Sequence, residues 1–204
     1  MTPVEFRRRL HAHPELSFRE DSTAAFIAEQ LAELGIEHRT IARTGILARI
    51  PGRRTTPGDR RAVVLRADID ALPIAERTGL AYSSRNAGVM HACGHDVHAA
   101  VLFGVLQRLA ADPDFSGTLL GLFQPGEECN PGGASLVLAE DPFREYDIRA
   151  VIGEHVEPQL EVGTLGFRAG KYMAASDELR LRVRGTGGHG ALRSQLRDPV
   201  AAGA

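Results

Sequence analysis

Thr118-Leu119-Leu120-Gly121-Leu122-Phe123-Gln124-Pro125-Gly126-Glu127-Glu128 decides the fold. Its apolar run, Thr118 to Phe123, reads as a buried strand. Pro125 and Gly126 stop that strand. Two adjacent carboxylates, Glu127 and Glu128, then stand just past its carboxyl end. Such a pair can divide its work: one group can bind a metal while the other stays free to move a proton.

The arrangement recurs elsewhere. Ala62-Val63-Val64-Leu65-Arg66-Ala67-Asp68-Ile69-Asp70 is an apolar strand that ends on two carboxylates. Ala150 to Gly153 is another, and it delivers His155. The run Met90-His91-Ala92-Cys93-Gly94-His95-Asp96-Val97-His98 places a thiol, three imidazoles and a carboxylate within nine residues. Few folding problems require that mixture, whereas binding a transition metal does. Cys93 and His95 are two apart, so on an extended or looped backbone both can face one ion. In open α/β sheets, sites form in the crevice beyond the carboxyl ends of the strands. All four segments are therefore expected to converge there.

Working outward, helices alternate with these strands. Thr2, Pro3 and Glu5 read as N-cap, first helical residue and capping box of a helix reaching about His11. A second helix starts near Asp21 or Ser22 and stops at Gly35. Strands follow at about 36–40 and 46–50. Val101, Leu102, Val105, Leu106 and Leu109 recur at helical spacing over His98 to Ala111. A short helix spans Gly133 to Ala139. The expected fold is α/β: an αβα sandwich around a mainly parallel sheet.

After about Ala175 the pattern changes. Glu178-Leu179-Arg180-Leu181-Arg182-Val183-Arg184 alternates strictly, which predicts a half-exposed strand of an antiparallel sheet. A boundary is placed there, dividing residues 1–175 from residues 176–204. Asp198-Pro199 then reads as a helix start.

The 204 residues suffice for one domain with a sizeable core and the start of another. Hydrophobic content of 43% and charged content of 25% fit an ordinary globular chain. A formal charge of −2 gives no reason to expect nucleic acid or an anionic membrane. Two cysteines are too few for a disulfide framework, which points to a reducing, cytoplasmic compartment. The N-terminus carries no apolar core of a signal peptide, and no stretch reaches membrane-spanning length. A zinc deaminase would want His-x-Glu with Cys-x-x-Cys, and neither is present.

Several ordered motifs together resemble one family, the metal-dependent amidohydrolases and peptidases that include hippurate hydrolase, N-acyl-amino-acid amidohydrolases and auxin-conjugate hydrolases. They are residues 9–20 (RLHAHPELSFRE), 65–74 (LRADIDALPI), 90–98 (MHACGHDVH), 123–134 (FQPGEECNPGGA), 153–156 and 187–191 (GGHGA). The resemblance implies a zinc-peptidase-like catalytic domain holding two divalent metal ions. Zinc is favoured by thiolate and imidazole donors, and manganese, cobalt or nickel are compatible. Cys93 would bridge the ions, with His95, Glu128 and His155 as further ligands. Glu127 would be the general base toward a metal-activated water, and Asp70 would act from behind the ligands.

Residues 176–204 would begin an inserted α+β lid and dimerisation domain. Its His189 would reach a partner's site and stabilise an oxyanion. The implied reaction is hydrolysis of an N-acyl or N-aroyl amino acid to a carboxylic acid and an amino acid, in a full-length homodimer or homotetramer. The alternatives are a dipeptidase or deacetylase of the same family, or a truncated, inactive chain. Family members run well beyond this length, so a further histidine ligand and most of the lid are expected outside these residues. Two departures stand out: Gly126 replaces a usual alanine, a small change in side chain, and Arg193-Ser194 replaces a usual Pro-His.

Overall fold

Thr2 caps α1 (Pro3–Ala12) as expected: its hydroxyl accepts from the Glu5 amide, and the Glu5 carboxylate accepts from the Thr2 amide at 2.8 Å. This reciprocal bonding satisfies donors that a helix start otherwise leaves open. In this computed structural model, residues 1–174 and 179–204 are described. The chain forms two compact units, Met1–Pro158 and Gln159–Ala204.

In the first unit, α1 is followed by α2 (Asp21–Glu33), β1 (Glu37–Ile41), β2 (Gly45–Pro51) and β3 (Arg61–Asp68). Then come α3 (His95–Ala111), β4 (Thr118–Gln124), α4 (Gly133–Ala139) and β5 (Asp147–Gly153). The five strands form one sheet in the order β1-β2-β4-β3-β5. β4, β3 and β5 run parallel, whereas β2 pairs antiparallel with both β1 and β4. The fold is the expected α/β class. Glu128 and His155 follow its parallel strands β4 and β5, His95 opens α3, and an antiparallel hairpin extends one side.

β4 is buried at every position, and its alternate side chains feed two cores. Leu119 and Phe123 join Phe6, Leu10, Ile27, Leu31, Phe103 and Leu106 from α1, α2 and α3. Leu120 and Leu122 join Val64, Leu47 and the α4 residue Val137. A strand with period 2 between two helical layers must be apolar on both sides, which is why it reads as a continuous apolar run. Phe6 and Phe103 stack with ring centroids 4.2 Å apart, which adds about 0.5–1.5 kcal/mol to their area burial.

α3 begins at His95, three residues before the apolar periodicity predicts. Its N-cap is Gly94, at φ +91°. His95 is therefore helical, and only Cys93 lies on the irregular backbone that was expected to present both.

The second unit contains a single 3-10 turn, Arg193–Gln195, and α5 (Pro199–Gly203), among its described residues. Asp198 caps α5 by accepting from the Val200 and Ala201 amides, as Asp198-Pro199 predicts. Among the described residues, no strand forms within the expected Glu178–Arg184. Glu178 lies outside the described residues, and residues 179–184 carry no ladder. Alternation fixes only which side of a segment is apolar; a strand also needs a partner backbone. Leu179 and Leu181 are 80% and 81% exposed. The one pairing described here is an isolated antiparallel bridge between Thr186 and Arg197.

Candidate metal centre

His95 sits at the first turn of α3 and is 1% exposed. Its Nδ1 lies 3.1 Å from Asp70 Oδ1, just beyond β3. An ionised carboxylate can only accept, so Nδ1 carries a proton, and in the neutral ring, the form a metal binds, Nε2 presents a lone pair. That Nε2 is buried without a hydrogen-bond partner among the described residues. Glu128 Oε1, 3.7 Å away, is buried without one too. Two acceptors facing each other across a gap repel unless a cation lies between them. A histidine backed by a carboxylate, with its other nitrogen bare, is the usual setting of a metal-bound imidazole.

The remaining expected donors gather around this pair. Cys93 Sγ is 3.4 Å from His155 Nε2. His155 Nδ1 donates to the Val156 carbonyl at 2.8 Å, which leaves Nε2 as the bare nitrogen. Cys93, His95 and His155 offer donor atoms within 4.8 Å of one another, and so do His95, Glu127 and Glu128. Burial, followed by the charges of Glu128 and Glu127, pushes the Cys93 thiol up to about 12. Such a thiol becomes a thiolate only beside a cation. Burial lowers His95, but its bond to Asp70 and the charges of Asp68, Asp70 and Glu128 leave it raised overall. This excess of buried negative charge, with bare nitrogen and oxygen donors, fits divalent metal.

Glu127 lies 3.9 Å from His95 Nε2 and is 42% exposed along its side chain. Burial, then the charges of Asp68 and Glu128, raises its carboxyl above the usual range, which favours proton transfer near neutrality. The turn carrying it is held from a distance. Glu20, fully buried, accepts from the Gly126 amide at 2.8 Å and from the Thr44 hydroxyl at 2.5 Å. Asp70 Oδ2 accepts from the Glu128 amide at 2.9 Å and from Ser17 at 2.7 Å. One aspartate thus fixes both the His95 ring and the Glu128 backbone.

Gly126 is held at φ +55°, and a Cβ there would meet the Phe18 ring at 2.6 Å. In this chain the missing methyl is therefore not a small change.

Two further buried residues belong here, Asp68 and His98, which lie in the converging segments of the sequence but receive no ligand or catalytic role from it. His98 Nδ1 is 2.6 Å from Asp68 Oδ1, and its Nε2 accepts from the Val156 amide at 3.0 Å. Burial raises the Asp68 carboxyl, but the bond from His98 and the charge of Arg66 override it and bring it down to about 2. The available signal was the spacing of His95 and His98, which places both on one face once the helix starts at His95.

Cys93, His95, His155, Glu127, Glu128 and Asp70 are all brought together. His189 belongs to the second unit, where its Nδ1 accepts from the Ala191 amide at 3.2 Å.

A chain with this sheet, and with these donors gathered beside it, falls into a recognisable class of protein, a peptidase family. The profile of Peptidase family M20/M25/M40 matches residues 64–199, and the chain belongs to that family. The N-acetyl-L-cysteine deacetylase of Bacillus subtilis (strain 168) is 45% identical over 199 residues, covering 97% of this chain and 46% of that protein. The N-acyl-L-amino acid amidohydrolase of Geobacillus stearothermophilus is 43% identical, covering 98% of this chain and 53% of its own length. The chain thus spans about half the length of the curated relatives it matches. The crystal structure of the Bacillus subtilis YXEP protein, named as a dinuclear metal binding peptidase from the M20 family, superposes with a TM-score of 0.75. It is 40% identical and covers 82% of this chain and 46% of its own. No helix among the described residues is long and apolar enough to cross a membrane.

Proposed function

We propose that this protein hydrolyses the amide bond of an N-acyl amino acid, yielding a carboxylic acid and an amino acid. The observation that carries this reading is the pair of orphaned acceptors, His95 Nε2 and Glu128 Oε1, with Cys93 and His155 beside them. Relatives named as a deacetylase of N-acetyl-L-cysteine and an amidohydrolase of N-acyl-L-amino acids support the substrate class. Residues 1–175 would supply the metal-binding part of the catalytic domain, and 176–204 would open a lid and dimerisation domain.

Cys93, His95, Glu128 and His155 would hold two divalent ions, with zinc the best match to thiolate and imidazole. When bound, the ions supply a water of lowered pKa and polarise the amide carbonyl. Glu127 takes a proton from the attacking water as its oxygen bonds to the carbonyl carbon. It returns that proton to the departing nitrogen as the C–N bond breaks. Its raised pKa suits both halves of this exchange. Asp70 keeps His95 in the tautomer that leaves Nε2 bare. His189 is assigned to a partner subunit's site, where it would donate to the developing oxyanion.

The test is hydrolysis of N-acetyl and N-benzoyl amino acids by purified protein, before and after chelation and re-addition of zinc, manganese, cobalt or nickel. Turnover should vanish on chelation and return with metal. Activity that survives exhaustive chelation would sink the proposal.

A further inference from the structure

His98 has no exposed surface and lies with its ring centroid 4.6 Å from that of His155. Asp68, His95 and His98 also offer donor atoms within 4.8 Å of one another. That proximity alone would make His98 a metal ligand. Its hydrogen bonds argue otherwise, because both ring nitrogens are engaged. Asp68, ionised, accepts from Nδ1 at 2.6 Å, and the Val156 amide donates to Nε2 at 3.0 Å. Neither nitrogen has a lone pair to spare for an ion.

We propose that His98 is a positioning residue: it ties the backbone at Val156 to Asp68 at the end of β3, and so sets where His155 stands. The inference rests on the metal-centre reading above. His155 is exposed, and its Nδ1 bonds to the carbonyl of the very next residue. Its ring therefore travels with its own loop, and its place depends on what holds that loop. Asp68 is a firm anchor. It sits on β3, between β4 and β5, and its second oxygen accepts from Arg66 at 2.8 Å. Val156 is seated from the other side by Gly94, where a Cβ would come within 2.5 Å of Val156 Cγ2. Residues 68, 98 and 156, far apart in sequence, thus form one strut from the central sheet to the ligand loop. Partners that orient metal-bound histidines typically cost 10- to 100-fold in metal affinity when removed.

The experiment uses the protein labelled with 15N. In the metal-free wild type, long-range proton–nitrogen correlation of the histidine rings should find His98 protonated at Nδ1 and bare at Nε2. The Val156 amide should exchange slowly. His98→Asn keeps a donor toward Asp68 and loses the acceptor for Val156. It should speed Val156 exchange by roughly tenfold or more and weaken zinc binding by roughly 10- to 100-fold. His98→Gln, whose side-chain oxygen reaches the Nε2 position, should recover much of both. A His98 Nε2 that carries the proton in the wild type overturns the strut, and that reading needs no variant to fold. Wild-type zinc affinity and wild-type Val156 protection in His98→Asn overturn it as well, as does cadmium coupling to the His98 ring in cadmium-loaded protein. A wild type that takes up no zinc, cobalt or manganese overturns the metal centre itself, and the tautomer and exchange readings then decide the strut alone.

Discussion

Glu20 shows how far from the reacting atoms a single residue can matter. Its carboxylate is fully buried and holds the Gly126 amide, one residue before Glu127. A hydrogen bond to a charged group is worth about 1.5–3 kcal/mol, and the cost is larger when a buried donor is left open. Glu20→Ala should lower the melting temperature and reduce kcat with zinc content unchanged. Glu20→Gln can still accept from Gly126 and should be much milder. Equal losses in the two variants would show that the hydrogen bond to the turn is not what counts. At the site itself, Glu127→Gln should abolish turnover while zinc stoichiometry stays at the wild-type value, since a base is lost and no ligand is. Cys93→Ala should instead lose zinc by elemental analysis. Unchanged stoichiometry would remove the thiolate from the ligand set.

Among the elements, the turn after β4 is the most constrained. Gly126 combines a left-handed backbone with a phenyl ring where its side chain would be. Gly126→Ala should cost stability through both effects, about 1 kcal/mol or more for the backbone conformation alone. Adding Phe18→Leu should recover the steric part. A double-mutant cycle by denaturant melts checks this, and strictly additive effects would mean that the two residues do not press on each other. The same elements show what a sequence can disclose. β4 is legible because a strand buried on both faces must be apolar throughout, and Pro125-Gly126 marks its end; β3 and β5 show the same apolar run, although β5 lies at the sheet edge with most of its residues exposed. α4 falls on Gly133–Ala139, as its short apolar pattern predicts. The start of α3 is obscured because His95, Asp96 and His98 occupy its buried side, where periodicity looks for apolar residues. The same masking leaves His98 without an assigned role. Residues 179–184 mislead in the opposite sense, with a clean alternation and no ladder.

For the whole molecule, a buried ionic network joins α1 to α3 and gives stability a pH dependence. Asp96 Oδ2 lies 2.8 Å from His11 Nδ1 and 2.6 Å from Arg7 Nε, and His11 Nε2 is 3.2 Å from Glu76. The bond to Asp96 raises His11, burial opposes it, and Glu76 adds to the rise. A histidine raised on folding contributes fully below its unfolded value, near 6.5, and loses that contribution as pH climbs through its raised folded value. Chelated wild-type protein should therefore be more stable to denaturant at pH 7 than at pH 9; below that window His91, which burial brings down to about 4, works the other way. His11→Gln should shrink that difference without erasing it, because His95 is raised as well. A variant with the full wild-type difference would clear His11 of the effect. The proposed ligands have a second global consequence. Cys93 and His155 meet across 62 residues of chain, and His95 and Glu128 bring α3 to the end of β4. An ion held there would act as a removable cross-link, closing loops that the unfolded chain leaves open. Stability would then follow the logarithm of free metal, rising by about 2.7 kcal/mol at a hundred times the dissociation constant. In a metal-poor medium the same polypeptide would melt earlier, so its heat resistance would report how much zinc surrounds it.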